Sequence, residues 1–339
     1  MPTFCRHNRL IQNCPICARE QAIELRPIVS RSTPRASVSG TSSARIPAPA
    51  RAPTRSASGG SRAGRSVRVS KLARGPDDGY GSPLAPGLHS SADAERLARE
   101  LAFAVARLVA LEADPPGLYA EVGAETGEIE EHTWLAFLIG YIGPLDGEDP
   151  FAEIQRVRTS WAGGELPNLE GIKTGPRSAH DPTRGIRTLE AYRAWATRAG
   201  SQSAAFTGEL AWSAERRFAR AFERLSLPGL HRGARFDLLV TLGRLGVYDL
   251  RSATLQLGGS NEVTLAAKRV FGIGDPLLLE RRAAELASAC ELPVEALDVG
   301  LHNWGTGARA TLGLPPSAGP DPNALSSTLA ALELSGAQP

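Results

Sequence analysis

The sequence predicts an all-α domain that follows a short cysteine-rich segment and a long basic linker. Apolar residues recur at helical spacing over 88–315, whereas strand-like alternation is scarce. Residues 25–87 are rich in Ser, Pro, Gly, Ala and Arg, a composition that buries too little apolar surface to fold. Residues 1–24 contain three of the four cysteines. We therefore expect a small metal module, a disordered linker, a helical domain and a C-terminal tail over 316–339, in which residues 326–334 can form one short helix.

The helical domain is predicted to begin with a capped amphipathic helix. Ser91 or Asp93 supplies the N-cap of a helix that runs to residue 112, with apolar residues at i, i+4 spacing on one face. A second helix over 128–141 has acidic residues in its first turn, where the helix dipole favours them. Further helices are predicted over 151–161, 188–199, 213–225, 235–245, 261–270, 276–289 and 293–304.

Charge is strongly segregated along the chain. Residues 25–76 contain eleven Arg and Lys and no Asp or Glu. The chain has a net charge of +2 and its first 24 residues contribute +1, so the remainder from residue 77 onward carries −10. Such a basic stretch either neutralises DNA phosphates without sequence preference or serves only as a solvated tether. Both interpretations remain open from the sequence.

The first seventeen residues contain the most specific motif of the chain. Cys5, His7, Cys14 and Cys17 form a C-x-H-x6-C-x2-C pattern, which supplies four zinc ligands. All four coordination positions are then occupied by protein, so we expect a structural rather than a catalytic Zn²⁺. The N-terminus lacks a signal-peptide pattern and no apolar run is long enough to span a membrane. The sequence therefore predicts a cytoplasmic protein with reduced thiols and no membrane partner.

A short Gly-Ile-Gly turn joins two of the predicted helices. Glycine tolerates the positive φ of a tight turn, and the following Asp275 and Pro276 are favoured at a helix N-cap and first position. The exposed amides of such a hairpin bind a DNA phosphate, although a plain interhelical turn has the same pattern. The candidate DNA-backbone contacts are Gly272, Ile273, Gly274, Lys268, Arg269, Arg235 and Arg244.

The next helix places a carboxylate at a fixed distance behind this turn. Asp298 follows Gly274 by 24 residues and shares a helix face with His302 by i, i+4 spacing. This arrangement resembles the helix-hairpin-helix superfamily of DNA glycosylases, in which an Asp downstream of the hairpin faces the flipped nucleotide. The resemblance implies that Asp298 stabilises an oxocarbenium-like sugar and helps to activate water.

One departure from that superfamily restricts the expected chemistry. Its members with lyase activity carry a Lys just after the hairpin, as a Schiff-base nucleophile. The chain has three lysines, and Asp275-Pro276-Leu277 stands where that Lys would be. The resemblance therefore implies a monofunctional glycosylase that uses water.

The chain is also similar to a narrower family. The opening Phe4-Cys5-Arg6-His7 with its C-x-x-C, the block 233–246, and Leu297-Asp298 followed by Asn303-Trp304-Gly305 resemble the clade-three alpha-glutamyl/putrescinyl thymine pyrophosphorylases. That group is related to DNA glycosylases and includes bacterial anti-phage enzymes that excise glucosylated 5-hydroxymethylcytosine. The resemblance covers the cysteine motif and residues 90–312, and the linker contributes nothing to it.

Several other residues have both a functional and a structural interpretation. Asp237 either assists catalysis or forms a first-turn salt bridge with an Arg, and Arg235 and Arg244 either contact phosphates or pair with nearby acids. Asn303 and His302 either contact the base or sugar or are ordinary helix residues. Trp304 stacks on a base or packs in the core.

These observations favour a DNA glycosylase that removes a bulky modified base from double-stranded phage DNA as antiviral defence. The base is expected to be glucosylated 5-hydroxymethylcytosine, and the product is an abasic site. One alternative is a thymine-hypermodifying pyrophosphorylase or transferase of the same fold. Another is a DNA-binding adaptor without chemistry. The sequence implies no protein partner.

Overall fold

The computed structural model describes residues 75–334. Every regular element in that range is a helix, and it contains no strand, which confirms the all-α prediction. Two of the helices have only five and six residues and were not predicted from the sequence. The helices are α1 (Ser91–Ala113), α2 (Leu118–Val122), α3 (Ile129–Ile142), α4 (Ala152–Val157), α5 (Gly185–Ala199), α6 (Gln202–Thr207), α7 (Ala214–Arg224), α8 (Arg232–Arg244), α9 (Glu262–Phe271), α10 (Pro276–Ala289), α11 (Ala296–Thr306) and α12 (Pro322–Ala331).

Helix α1 forms the centre of one group of helices. It packs most extensively against α11 and also contacts α12, and α9 lies on the other side of α11. A close approach between α1 and α11 requires glycine, because a Cβ at Gly300 would lie 2.6 Å from Leu101 Cδ2 and 3.0 Å from its Cα. This packing fixes the position of the helix that carries Asp298.

Helix α3 forms the centre of a second group, where it packs on α8. Its buried aromatic side chains join a stack with α5, in which the Phe137 and Tyr192 rings lie 3.7 Å apart between centroids. Trp134 and Tyr141 flank that pair and are also buried. Aromatic side chains bury large areas, so this stack supplies much of the apolar contact between α3 and α5.

Three short helices depart from the sequence prediction: two were not predicted, and one was predicted too long. Helices of five or six residues are too short to show a hydrophobic period and depend on tertiary contacts. In α6, Ser201 caps the N-terminus and the Gln202 side chain donates to the Glu130 carbonyl at 2.8 Å. The helix predicted over 151–161 ends at Val157, because the backbone becomes extended at Arg158, and the Thr159 carbonyl beyond it accepts a bond from the Trp134 indole.

The predicted linker extends too far toward the C-terminus. Residues 75–87 belong to the folded body: Ala85 is fully buried, and the Gly87 amide donates to the Val270 carbonyl at 2.9 Å. A Cβ at Gly87 would lie 2.0 Å from the Arg269 carbonyl oxygen, so only glycine permits this approach. The chain before α1 thus packs against the end of α9, next to the Gly-Ile-Gly turn.

The predicted C-terminal tail over 316–339 also contains part of the folded body. Asp321 caps α12 by accepting from the Ala324 amide at 2.8 Å, and α12 packs on α1. Ala324, Thr328 and Leu332 are buried at i, i+4 spacing. The buried face of α12 therefore joins this segment to the folded body.

The remaining predictions for the N-terminal region lie outside the described residues. These are the zinc ligands and the linker up to residue 74. Within residues 75–334, no helix combines the length and apolarity that a membrane span requires.

Candidate functional site

Asp298 lies at the centre of a buried group of charged side chains. It is the third residue of α11 and is fully buried. Its carboxylate forms ion pairs with Arg177, at 2.6 Å from Nη2, and with Arg232. Burial alone would raise the pKa of Asp298, but the charges of Arg232 and Arg177 outweigh that effect and lower it. Asp298 is therefore ionised at neutral pH.

Arg177 connects Asp298 to a second buried acid. Its Nε donates to Asp237 Oδ2 at 2.7 Å and its Nη2 donates to Asp237 Oδ1 at 3.1 Å, in a bidentate arrangement. Burial would lower the pKa of Arg177, but Asp237 and Asp298 raise it. Asp237 thus takes the salt-bridge role, with an Arg that is distant in sequence. We call Asp237, Arg177, Asp298 and Arg232 the buried ion cluster, which has no net charge.

Arg232 is fixed by contacts on every nitrogen. Nε donates to the Gln256 carbonyl at 3.4 Å, Nη2 donates to the Leu255 carbonyl, and Nη1 pairs with Asp298. The guanidinium also lies over the Phe236 ring, 4.8 Å from its centroid. The Asp298 carboxylate is therefore held between two guanidiniums that are themselves anchored.

The N-terminus of α8 is built around a histidine. His231 is the N-cap, and its Nδ1 accepts from the Ala234 amide at 3.3 Å. Its Nε2 therefore carries the proton and donates to the Ser178 carbonyl at 2.9 Å. This imidazole joins α8 to the loop that carries Arg177. The same loop is held by Gly175, where a Cβ would lie 1.9 Å from the Pro144 oxygen.

A cavity of about 510 Å³ lies directly beside the buried ion cluster. Its volume is in the range of small-molecule sites. Arg177 and Arg232 line it, whereas the fully buried Asp298 lies behind them. The first turns of α8 and α9 both reach the cavity, and so does α11. The other lining residues include Ser178, His231, Gly233, Ser260, Asn261, Glu262, Val263 and His302.

His302 is the predicted base-pocket residue that does line this cavity. It follows Asp298 by one turn on α11 and is 7% exposed. Burial, followed by the nearby charge of Arg177, lowers the pKa of His302 to about 3. The imidazole is therefore neutral at physiological pH and provides one donor and one acceptor.

Asn303 and Trp304 lie on the side of α11 that packs on α1. Asn303 Nδ2 donates to Glu100 at 3.2 Å and its Oδ1 accepts from the Ala310 amide, while the Trp304 indole donates to the Asp93 carbonyl at 2.9 Å. Both side chains are almost fully buried, and neither lines the cavity. The structure thus gives Trp304 the core-packing role and separates both residues from His302.

The Gly-Ile-Gly turn has the positive φ that its sequence predicts at Gly272 but not at Gly274. Gly272 adopts φ +65° at the end of α9, and Asp275 accepts from the Leu277 and Leu278 amides, both at 3.0 Å. Gly274 is exposed, and neither it nor Ile273 donates a backbone hydrogen bond within residues 75–334. These amides are available to an anion.

The predicted basic contacts lie in four different settings. Lys268 is partly exposed near the end of α9, and Arg269 lies 4.9 Å above the Trp304 ring. Arg235 donates to the Phe222 carbonyl at 3.0 Å and lies over that ring. Arg244 pairs with Glu112 at 2.6 Å and with Glu295 at 3.2 Å, which matches its structural interpretation.

Sequence patterns do not single out the two arginines that contact Asp298. Arg177 lies in an irregular loop after Pro176, and Arg232 begins a helix that the sequence predicts three residues later. A run of Gly and Pro around an isolated Arg is the one available signal for Arg177, and it is weak.

No protein-family model, curated protein or solved structure matches this chain significantly. Within residues 75–334, no three His, Cys, Asp or Glu side chains are placed to hold a metal ion. Cys5, His7, Cys14 and Cys17 lie outside that range.

Proposed function

We propose that the protein is a DNA glycosylase that removes a bulky modified base, glucosylated 5-hydroxymethylcytosine, from phage DNA. The main support is an ionised Asp298 placed directly behind a cavity large enough for an extruded nucleotide. The turn at 272–274 precedes it with exposed glycines, as in the helix-hairpin-helix glycosylases that the sequence resembles. The antiviral role and the identity of the base rest on the family resemblance.

In this proposal the chain supplies electrostatic stabilisation rather than a covalent nucleophile. The negative charge of Asp298 favours positive charge on the deoxyribose as the glycosidic bond breaks. Arg177 and Arg232 keep the carboxylate ionised, and neutral His302 hydrogen-bonds the nucleotide. Because both guanidiniums cover Asp298, direct contact with the sugar requires one of them to turn aside when DNA binds.

The two alternatives each have one supporting observation. A transferase that displaces pyrophosphate is favoured by the arginines and helix N-termini at the cavity, since these groups suit an anionic leaving group. A DNA-binding adaptor is favoured by the complete burial of Asp298, because a structural ion pair needs no access to substrate. The structural Zn²⁺ at Cys5, His7, Cys14 and Cys17 is supported by their spacing.

The function is tested by incubating the full-length protein with glucosylated phage DNA and with unmodified DNA. We expect mass spectrometry to detect free modified base and alkali to cleave the modified DNA alone. Asp298→Asn should lower base release at least a hundredfold, because it removes the stabilising charge. Asp249→Asn is the matched control, since that side chain is 70% exposed and pairs with Arg217 at the surface.

Two other outcomes would assign a different function, and a third would contradict the role given to Asp298. DNA binding without release of any base by the wild-type protein indicates the adaptor. Release of pyrophosphate from pyrophosphorylated thymine DNA in the presence of an amine indicates the transferase. Full base release by a folded Asp298→Asn protein, checked by circular dichroism, contradicts the role given to Asp298.

The turn at 272–274 is tested by placing a negative charge on it. Gly274→Asp should weaken binding of duplex DNA about tenfold at low salt, because the new carboxylate repels the phosphate that the turn contacts. A Cβ at Gly274 has no neighbour within 4 Å, so the variant should fold normally. Gly319→Asp is an equally open control. Fluorescence anisotropy measures both, and an equal loss in the two variants would show that the turn does not contact DNA.

A further inference from the structure

The cavity beside the buried ion cluster receives the N-termini of two helices. Arg232 and Gly233, whose amides lie in the first turn of α8, line it, and so do Glu262 and Val263, whose amides lie in the first turn of α9. None of these four amides has an acceptor within residues 75–334, whereas the next amide of each helix is capped, by His231 and by Asn261. Free first-turn amides and the helix dipoles together favour an anion at this point.

Two buried side chains at the same cavity also have unused hydrogen-bonding groups. His302 is 7% exposed, and its ring makes no hydrogen bond within the described part of the chain. Arg177 is 4% exposed and lines the cavity, and its Nη1 has no acceptor there either. Both groups therefore have hydrogen-bonding capacity that a ligand in the cavity can use. That ligand has to accept hydrogen bonds from Arg177.

The charges and dipoles around the cavity favour an anionic ligand. The buried ion cluster is neutral, so the attraction for an anion comes from the amides, the helix dipoles and the free donor of Arg177. Among the described residues that line the cavity, Glu262 is the one acid, and it is exposed. A tetrahedral oxyanion accepts bonds from several converging donors at once, and its negative charge is favoured by the helix dipoles.

We propose that this cavity contains a phosphate-binding site, formed by the N-termini of α8 and α9 together with Arg177 and His302. The cavity is much larger than one phosphate, so the group it binds is carried either by a nucleotide or by a free phosphate ion. The site is separate from the Gly-Ile-Gly turn, and it does not depend on whether the protein cleaves a glycosidic bond.

Ser260 allows a clean test. It is exposed at the cavity, precedes the α9 N-cap and makes no hydrogen bond within residues 75–334. Ser260→Asp places a carboxylate at the proposed site, whereas Ser260→Asn adds nearly the same volume without charge. Binding of inorganic phosphate to the full-length protein is measured by isothermal titration calorimetry. We expect Ser260→Asp to weaken the cavity site about tenfold and Ser260→Asn to change it less than twofold.

The basic segment 25–76 is identical in all three proteins, so its own phosphate binding does not affect the comparison. Equal phosphate affinity in the wild-type and Ser260→Asp proteins, or no saturable binding at millimolar phosphate, would overturn the proposal. Deoxycytidine monophosphate and deoxycytidine serve as two further probes. Tighter binding of the monophosphate than of free phosphate assigns the site to a nucleotide, and equal binding assigns it to the free ion. If deoxycytidine binds as tightly as its monophosphate, the phosphate group adds no affinity and the proposal is also overturned.

If the protein binds phosphate at this site but releases no base, the proposed glycosylase function is wrong and the phosphate site is supported. If the protein releases base but Ser260→Asp does not change phosphate binding, the phosphate site is wrong and the glycosylase function is supported. The two proposals can therefore fail separately.

Discussion

Replacing Arg177 with methionine is expected to lower the free energy of unfolding by about 3–5 kcal/mol, because it leaves two buried carboxylates without their shared partner. Arg177 is 4% exposed and pairs with Asp237 at 2.7 Å and Asp298 at 2.6 Å. Urea unfolding followed by circular dichroism measures the change. The effect should be among the largest of any single side chain, since it breaks the link between the loop, α8 and α11.

A matched control separates burial from pairing. Arg156 forms an ion pair of similar length with Glu153, at 2.6 Å, but its side chain is 51% exposed. Arg156→Met should cost less than about 1 kcal/mol, because solvent screens the pair. Equal losses in the two variants would contradict the view that Arg177 stabilises the fold through buried charges. The double variant Arg177→Met, Asp237→Asn should recover part of the loss, since one unpaired charge is also removed.

Acid is expected to destabilise the protein through His302 well before its carboxylates are protonated. The pKa of His302 is about 3 in the folded protein, below the ordinary 6.5. The unfolded chain therefore takes up this proton first, so the stabilisation is complete above pH 6.5 and is lost as the pH falls toward 3. At pH 5 the loss attributable to His302 is about 2 kcal/mol.

The variant His302→Gln should remove this component, so that its stability changes less between pH 7 and pH 5 than that of the wild-type protein. Thermal unfolding at each pH measures the difference. The exposed His89 provides the control substitution, His89→Gln. Burial also lowers the pKa of His180, in the same direction, so the comparison is made between variants rather than on one profile. Parallel profiles for His302→Gln and wild type would show that His302 is not the group responsible.

The long helices could be predicted because their apolar periodicity and caps are local properties. The predicted helix over 276–289 has the bounds of α10, since Asp275 and Pro276 define its start. The turn at Gly272 was predicted for the same reason, because a positive φ favours glycine irrespective of distant contacts. Short helices such as Leu118–Val122 could not be found in this way, since packing rather than periodicity stabilises them.

The candidate site was predictable only in part. Helical spacing predicted that Asp298 and His302 share one face of a helix, and the structure places them one turn apart on α11. It could not show that Asn303 and Trp304, the next two residues, pack against α1, because that orientation depends on which face α1 covers. It also could not show that Asp237 pairs with Arg177, since 60 residues separate them in the sequence.

The sequence by itself determined the helical class, the turn at Gly272 and the shared helix face of Asp298 and His302. Each of these depends on residues within a few positions of one another, where backbone preferences and helical spacing decide the outcome. Only the tertiary structure decided what surrounds Asp298. The fold brings Arg177 from a loop and Arg232 from the start of α8 onto one carboxylate, and it directs two helix N-termini toward the same cavity. Charges that are distant in sequence interact strongly only when packing removes the water between them, and no local pattern encodes that arrangement.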